Sequence, residues 1–149
     1  MTAAIFECMA LSAQEREQFL AEPHTGSLAV AWTNGRAPMT VPIWYHYSPG
    51  EELWISTGAQ SRKAEAIRAA GRFSLLAQRI EPTVRYVSVE GPVTRIEAGS
   101  EEASRRMAER YLPPKAAANF VEYERTELGE HVTIYMRPEH WLSAEMGSF

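Results

Sequence analysis

A succession of short β-rich segments, separated by turn residues, limits what this chain can fold into. Asn34-Gly35 is a strong signal for a two-residue hairpin turn, and Ser48-Pro49-Gly50 turns the chain again. Short strands joined by tight turns favour an antiparallel sheet or a small barrel over a parallel sheet, which needs long crossovers. Strands are expected at residues 27–33, 39–47, 52–57, 72–79, 84–96 (interrupted at Gly91-Pro92) and 131–137, the last followed by a tail that holds Trp141.

Helix signals stand between and around these strands. Ser12 and Glu15 form a capping box, Gly71 is a typical residue for ending a helix, and Pro113-Pro114 breaks one. The sequence therefore predicts a mainly β protein, a six-stranded antiparallel β-barrel with peripheral helices, in one domain that spans residues 1–149. Helices are expected at residues 12–22, 61–70, 100–112 and 115–126.

Charge and cysteine content exclude several classes of protein. The net charge of −4 argues against a nucleic-acid or acidic-lipid partner bound through bulk charge. Cys8 is the single cysteine, which excludes an intramolecular disulfide and fits a reducing compartment. Residues 1–11 lack the features of a signal peptide, and no apolar run is long enough to span a membrane, so a cytoplasmic location is expected. The four histidines lack a metal-ligand spacing, so no metal site is expected.

The segment Ser56-Thr57-Gly58-Ala59-Gln60-Ser61-Arg62-Lys63 carries the clearest chemical signal. It places hydroxyls at a strand end and then two cations in the first turn of a helix. A helix N-terminus has partial positive charge and free N–H groups, so cations are unfavourable there unless an anion joins them. Two readings remain: a phosphate site that uses the hydroxyls and both cations, or two side chains that extend into solvent.

Pro42 interrupts an otherwise good strand pattern, Thr40-Val41-Pro42-Ile43-Trp44. Proline cannot donate to a strand ladder, so this strand is predicted to lie at a sheet edge. Its backbone could face solvent or a planar heteroaromatic ligand.

These segments, in this order and spacing, resemble the pyridoxamine 5′-phosphate oxidase-like split barrels. The likeness rests on the hairpin strand, the strand ending in Ser-Thr, the Ser-Arg-Lys helix, a Ser-Leu-Leu strand and Arg-x-Val-x-Val-x-Gly, over residues 28–96. It implies a split β-barrel and a homodimer whose cofactor sites lie at the subunit interface, with FMN or the deazaflavin coenzyme F420 as cofactor. The cofactor-binding residues implied are Val41, Pro42, Ile43 and Trp44 along the ring, Ser56 and Thr57 at the strand end, Ser61, Arg62 and Lys63 at the phosphate, and Arg85 and Tyr86 on the following strand.

The chain also departs from the true oxidase of that family. Met39 and Trp44 stand where the oxidase has basic residues, and Tyr86 replaces a glutamine. Residues 139–149 lack its C-terminal Arg-and-His substrate motif. The resemblance therefore does not imply oxidation of pyridoxamine phosphate.

Two classes of function follow from the resemblance. The first is an FMN- or F420-dependent oxidoreductase that transfers hydride between the bound cofactor and a small organic substrate. A cofactor that does the chemistry suits a sequence in which no catalytic side chain is evident, with Tyr86 or His46 at most assisting proton delivery. The second is a non-enzymatic protein that sequesters a flavin or a haem-type tetrapyrrole.

Overall fold

The computed structural model describes residues 9–149, so the predictions made on Cys8 and on the first residues of the segment 1–11 lie outside the described chain. Its helices are α1 (Ala13–Ala21), α2 (Arg62–Ala70), α3 (Glu101–Tyr111) and α4 (Pro114–Glu127). Its strands are β1 (Gly26–Val30), β2 (Met39–Ile43), β3 (Tyr45–His46), β4 (Leu53–Gly58), β5 (Arg72–Arg79), β6 (Val84–Ala98), β7 (His131–Met136) and β8 (His140–Gly147).

The helices form where their end signals predict them. Ser12 and Glu15 make both bonds of the capping box at α1, and Ser100 caps α3 through the Ala103 N–H. Gly71 ends α2 at φ 72°, a left-handed conformation that favours glycine. None of the helices within residues 9–149 is both long enough and apolar enough to cross a membrane.

The sheet closes on itself through one residue. The strand order is β2-β1-β5-β6-β7-β4-β3, with β8 paired to β6, and every pairing is antiparallel. β2 and β3 stand at opposite ends of this order, yet only Trp44 separates them in the chain. The sheet must therefore curl until its two ends meet, which confirms the predicted split β-barrel with peripheral helices.

Strand β6 serves both halves of the barrel. Its first part pairs with β5 and β8, and its second part pairs with β7 after a change of register between Val93 and Arg95. Gly91 lies just before this change, where a Cβ atom would collide with the carbonyl oxygen of Arg137. Only glycine allows the two backbones to approach so closely.

Several strand predictions need correction. The sheet has eight strands rather than six, because residues 140–147 form β8 where the sequence predicts a tail. The predicted strand 39–47 is divided at Trp44, and the predicted interruption at Gly91-Pro92 is a continuous stretch of β6. The β1–β2 hairpin is present, but Val30 pairs with Met39, so its loop spans residues 31–38 instead of two residues.

The core lies on the concave face of the sheet, and α1 covers it with Phe19 and Leu20. Burial of side chains of this size stabilises the fold by about 1.5–3 kcal/mol each. Core residues from the strands include Leu28, Val30, Leu53, Ile55, Leu75, Val87, Val89, Ile134 and Met136, all at most 1% exposed.

The end of α3 fastens the barrel closure. The Tyr111 hydroxyl accepts a hydrogen bond from the Tyr45 N–H at 3.1 Å and lies 2.8 Å from the His24 carbonyl oxygen, to which it donates. The Arg110 guanidinium donates to the carbonyl oxygens of residues 20, 21 and 22, which satisfies the C-terminal end of α1. Two neighbouring side chains of α3 therefore hold α1 and the β2–β3 junction together.

Candidate functional site

The start of α2 is fixed rigidly to the end of β4. The Ser61 hydroxyl accepts from the Ala64 N–H at 3.1 Å and lies 3.0 Å from the Thr57 hydroxyl. The Ser61 N–H donates to the Gly58 carbonyl at 3.0 Å. This cap orients the first helical turn, and with it Arg62 and Lys63.

The two strand-end hydroxyls predicted to bind the cofactor, those of Ser56 and Thr57, lie in different environments. Thr57 is 5% exposed and already bonded to Ser61, so both hydroxyls stabilise the helix start. Ser56 is half-buried, and strand alternation points it to the opposite face of β4 from Thr57. These residues therefore position the two cations, while the exposed chemistry belongs to Arg62 and Lys63.

A cleft of about 630 Å³ lies between the β1–β2 loop and the start of α2. It brings together three of the predicted site residues: Val41, Arg62 and Lys63. The other lining residues are Trp32, Arg36, Ala37, Pro38 and Met39.

The charges that line this cleft are all positive. Arg36, Arg62 and Lys63 contribute three cations, and no lining residue in the described chain is acidic. Within residues 9–149, none of these three cations belongs to an ion pair. Unpaired like charges around one concave surface repel one another and attract an anion.

The edge strand β2 contributes only part of the predicted ring-binding residues to the cleft. It stands at the end of the strand order, which confirms the edge position predicted from Pro42. Val41 pairs with Leu28 of the core-facing row, whereas Pro42 pairs with Ser27 on the outer face. Ile43 packs against the core. Of the predicted ring-binding stretch, Val41 alone lines the cleft.

Trp44 is occupied by packing between the helices. Its ring stacks on Tyr111 with centroids 4.6 Å apart and planes 9° apart, and it tilts against Phe120 at 5.3 Å. Such contacts stabilise an aromatic pair by about 0.5–1.5 kcal/mol beyond area burial. In this structure Trp44 therefore anchors the barrel closure.

Arg85 and Tyr86 open β6 and do not line the cleft of their own chain. Arg85 donates to Glu145 at 2.8 Å, and this hydrogen bond holds the pKa of the Glu145 carboxyl below its usual value. Tyr86 is half-buried and alternates with Val87, so it points to the outer face of the sheet.

His46 lies under α3, away from the cleft lining. Its ring stacks on Trp54 at 4.9 Å. Burial, with smaller effects from the Arg110 and Arg106 guanidinium groups, lowers the pKa of His46 from 6.5 to about 4. Its imidazole is therefore neutral near pH 7 and is poorly suited to donate a proton there.

Trp32 and Arg36 are the cleft residues that sequence reasoning missed. The prediction of a strand to residue 33 and a two-residue turn at Asn34-Gly35 placed them within a regular hairpin. The long loop instead carries both side chains into the cleft, with the Arg36 guanidinium 5.3 Å from the Trp32 ring centroid. A tryptophan and an arginine beside a turn signal were the available clue.

Comparisons with known proteins agree with this architecture. The model of a family described as pyridoxamine 5′-phosphate oxidase matches residues 12–143. No curated protein matches the sequence significantly.

Solved structures provide the second comparison. An F420 reductase superposes with a TM-score of 0.66 at 23% identity, over 85% of this chain and 94% of that chain. A conserved hypothetical protein from Mycobacterium tuberculosis superposes with a TM-score of 0.68 at 26% identity, over 91% of this chain and 86% of that chain. An FAD-binding protein from Mesorhizobium loti superposes with a TM-score of 0.61 at 22% identity, over 95% of this chain and 98% of that chain. The first and third likenesses show the fold alone, because their identities are below 25%.

Proposed function

Because this chain belongs to the pyridoxamine 5′-phosphate oxidase family, we propose that it is an oxidoreductase that binds FMN or F420. The cleft between the β1–β2 loop and α2 would hold the cofactor, which would supply hydride exchange with a small organic substrate. The observation that carries this proposal is the meeting of an edge strand with Arg62 and Lys63 across one cleft.

The cleft fits a planar, phosphorylated cofactor in size and chemistry. Its volume of about 630 Å³ falls within the roughly 300–1,000 Å³ of ligand pockets. Its apolar residues, Val41 and Met39 among them, offer a surface for a ring, and its cations offer partners for a phosphate.

The protein residues bind and orient, and the bound cofactor supplies the hydride chemistry. Arg62 and Lys63 hold the phosphate at the N-terminus of α2, where free N–H groups add to their charge. Val41 and Met39 exclude water from one side of the ring. The lining residues of the described chain include no histidine, cysteine or carboxylate, so one chain by itself leaves proton delivery to solvent or to the substrate.

We also propose that two copies of the chain form a homodimer and that each site uses residues of both. The outer face of the sheet carries a row of paired residues, Pro42, Ser27, Leu76, Ser88 and Leu142, with Leu142 70% exposed. Tyr86 points to this same face, so a second copy seated there could bring it to the cleft of its partner.

The dimer is tested by Leu142→Arg, which introduces a charge at an exposed outer-face position. Light scattering should show a dimer for the wild-type chain and a monomer for the variant, with cofactor affinity reduced at least tenfold in the monomer. A folded monomer that binds cofactor as tightly as the wild-type chain would defeat the two-subunit site.

The phosphate site is tested by Arg62→Ala and Lys63→Ala, titrated with FMN and with riboflavin. A charge-assisted hydrogen bond contributes about 1.5–3 kcal/mol, so each variant should lose roughly 10- to 100-fold in FMN affinity. Riboflavin affinity should barely change, because it has no phosphate. Arg105→Ala, an exposed arginine of α3, is the matched control and should alter neither affinity. Equal losses for both ligands, or no loss, would place the anion site elsewhere.

Turnover separates an enzyme from a carrier. The chain loaded with reduced cofactor is mixed with a panel of candidate acceptors, and cofactor absorbance is followed in single-turnover mode. Reoxidation coupled to product formation supports the oxidoreductase. Tight binding of flavin or of a tetrapyrrole without any turnover would favour a sequestering protein.

A further inference from the structure

The β1–β2 loop adds a third cation to the cleft from a separate element of the fold. Arg36 follows the turn Asn34-Gly35, and its N–H donates to the Asn34 side-chain oxygen at 3.3 Å. Gly35 at φ 76° allows the chain to turn there. The loop backbone is therefore shaped locally, which directs Arg36 and Trp32 toward the cleft.

A single phosphate bound by Arg62 and Lys63 at the start of α2 would leave Arg36 of the loop without an anionic partner. Arg62 and Lys63 are neighbours on the first helical turn, whereas Arg36 belongs to the opposite, loop-side wall of the cleft. Its only charged neighbours among the lining residues are the other two cations. Arg36 is exposed and close to two like charges, so an anionic group that reaches this wall of the cleft can bind it.

Trp32 adds a flat surface beside that cation. It is half-buried, and the Arg36 guanidinium lies 5.3 Å from its ring centroid. An arginine next to an aromatic face can bind an anionic group while the ring contacts a planar or apolar part of the same ligand.

We propose that Arg36 and Trp32 form a second subsite, which binds an anionic extension of the cofactor beyond its first phosphate. This inference rests on the proposed function, because the extension belongs to the molecule held by Arg62 and Lys63. The extension could be the adenylate half of FAD or the carboxylate-bearing tail of F420, which share the required negative charge. The subsite therefore selects extended cofactors over FMN.

Binding constants of FMN, FAD and F420 test the subsite in the full chain. Arg36→Ala should lower the affinity for FAD or F420 about tenfold and leave FMN within twofold. Arg36→Lys should recover most of the loss, Arg62→Ala should weaken all three ligands, and Arg105→Ala should weaken none. If Arg36→Ala lowers the affinity for FAD alone, if Trp32→Ala lowers it as well, and if Trp32→Phe keeps it, the extension is the adenylate half. A loss for F420 alone assigns it to the carboxylate tail.

Two results would overturn the subsite. Arg36→Ala could weaken FMN as much as the extended cofactors, which would make Arg36 a ligand of the first phosphate. It could also leave every affinity unchanged while the variant keeps its thermal midpoint. In either case the effect of Arg62→Ala on FMN would still support the proposed function.

A second measurement needs no flavin. Calorimetry should show that tripolyphosphate binds the wild-type chain at least fivefold more tightly than orthophosphate, and that Arg36→Ala removes this preference. If no flavin or deazaflavin binds but this preference is present, the proposed function fails and the two-part anion site stands. If flavins bind and the preference is absent in the wild-type chain, the subsite fails alone.

Discussion

Removal of the Tyr111 hydroxyl tests whether α3 holds the barrel closed. Tyr111→Phe deletes one oxygen that accepts from the Tyr45 N–H at 3.1 Å and donates to the His24 carbonyl at 2.8 Å. The ring remains, and with it the stacking on Trp44 at 4.6 Å. The variant therefore isolates the polar contribution of this contact.

The expected cost follows from what the hydroxyl leaves behind. A partly buried backbone donor without its acceptor costs about 1–3 kcal/mol, and we expect about 1–2 kcal/mol because Tyr111 is half-buried. For a chain of this length that is a fall of roughly 3–6 °C in the thermal midpoint. Tyr111→Leu, which also loses the stacking on Trp44, should cost about 1 kcal/mol more.

Urea unfolding followed by circular dichroism measures this cost as a change in midpoint at constant slope. Tyr123→Phe is the matched control, because Tyr123 lies on α4 and is 51% exposed, so its free energy of unfolding should change by less than about 0.5 kcal/mol. If Tyr111→Phe were no less stable than Tyr123→Phe, the hydroxyl would not fasten the closure.

Three further predictions concern stability. The pKa of His46 is about 4 in the folded chain and 6.5 when exposed, so the unfolded chain takes up more protons between these values. The full difference corresponds to about 3 kcal/mol, and because the ring is only partly buried we expect stability to fall by about 1–2 kcal/mol as the pH drops from 6.5 to 4. His46→Gln should remove that part of the pH dependence in urea unfolding. Gly91→Ala should cost at least about 2–4 kcal/mol or prevent folding. Gly58→Ala should cost far less, because its new Cβ would lie 3.8 Å from the Cβ atom of Ser61, and equal thermal midpoints for the two variants would contradict the close approach at Gly91. Ser61→Ala should lose about 1 kcal/mol with its helix cap and Ser61→Asp should recover most of it, and an unchanged urea midpoint for Ser61→Ala would refute the cap.

Local signals account for the parts of the fold that sequence reasoning predicted. Ser12, Ser61 and Ser100 each bond to a backbone N–H three residues later, and Gly71 supplies the left-handed residue that ends α2. These interactions need no distant partner, so the sequence nearby is enough to predict them. The position of the predicted pair Arg62 and Lys63 follows from the same helix start, whereas the cleft around this pair also needs the distant β1–β2 loop.

Distant contacts account for the parts that were missed. The strand 39–47 looks continuous in sequence, but it divides at Trp44, where the hydroxyl of Tyr111, 66 residues away from Tyr45, takes a backbone bond. Strand β8 forms because β6 offers an edge for it, which no pattern within residues 140–147 reveals. The roles of Trp32 and Arg36 depend on the length of a loop, and Asn34-Gly35 indicates a turn without setting the register of Val30 with Met39.

The joining of β2 to β3 through Trp44 has a consequence for association with other chains through sheet edges. An exposed edge strand is a template on which a foreign strand can add, and long regular edges lead to aggregation. Here both ends of the strand order belong to one short run of chain. Pro42 removes a backbone donor from β2, and β3 is only two residues long. A misfolded neighbour therefore meets no long, uninterrupted edge at β2 or β3. Strand addition is left instead to β8, which has eight residues, pairs with β6 on one side and is bridged on the other side by Met9 at Glu145.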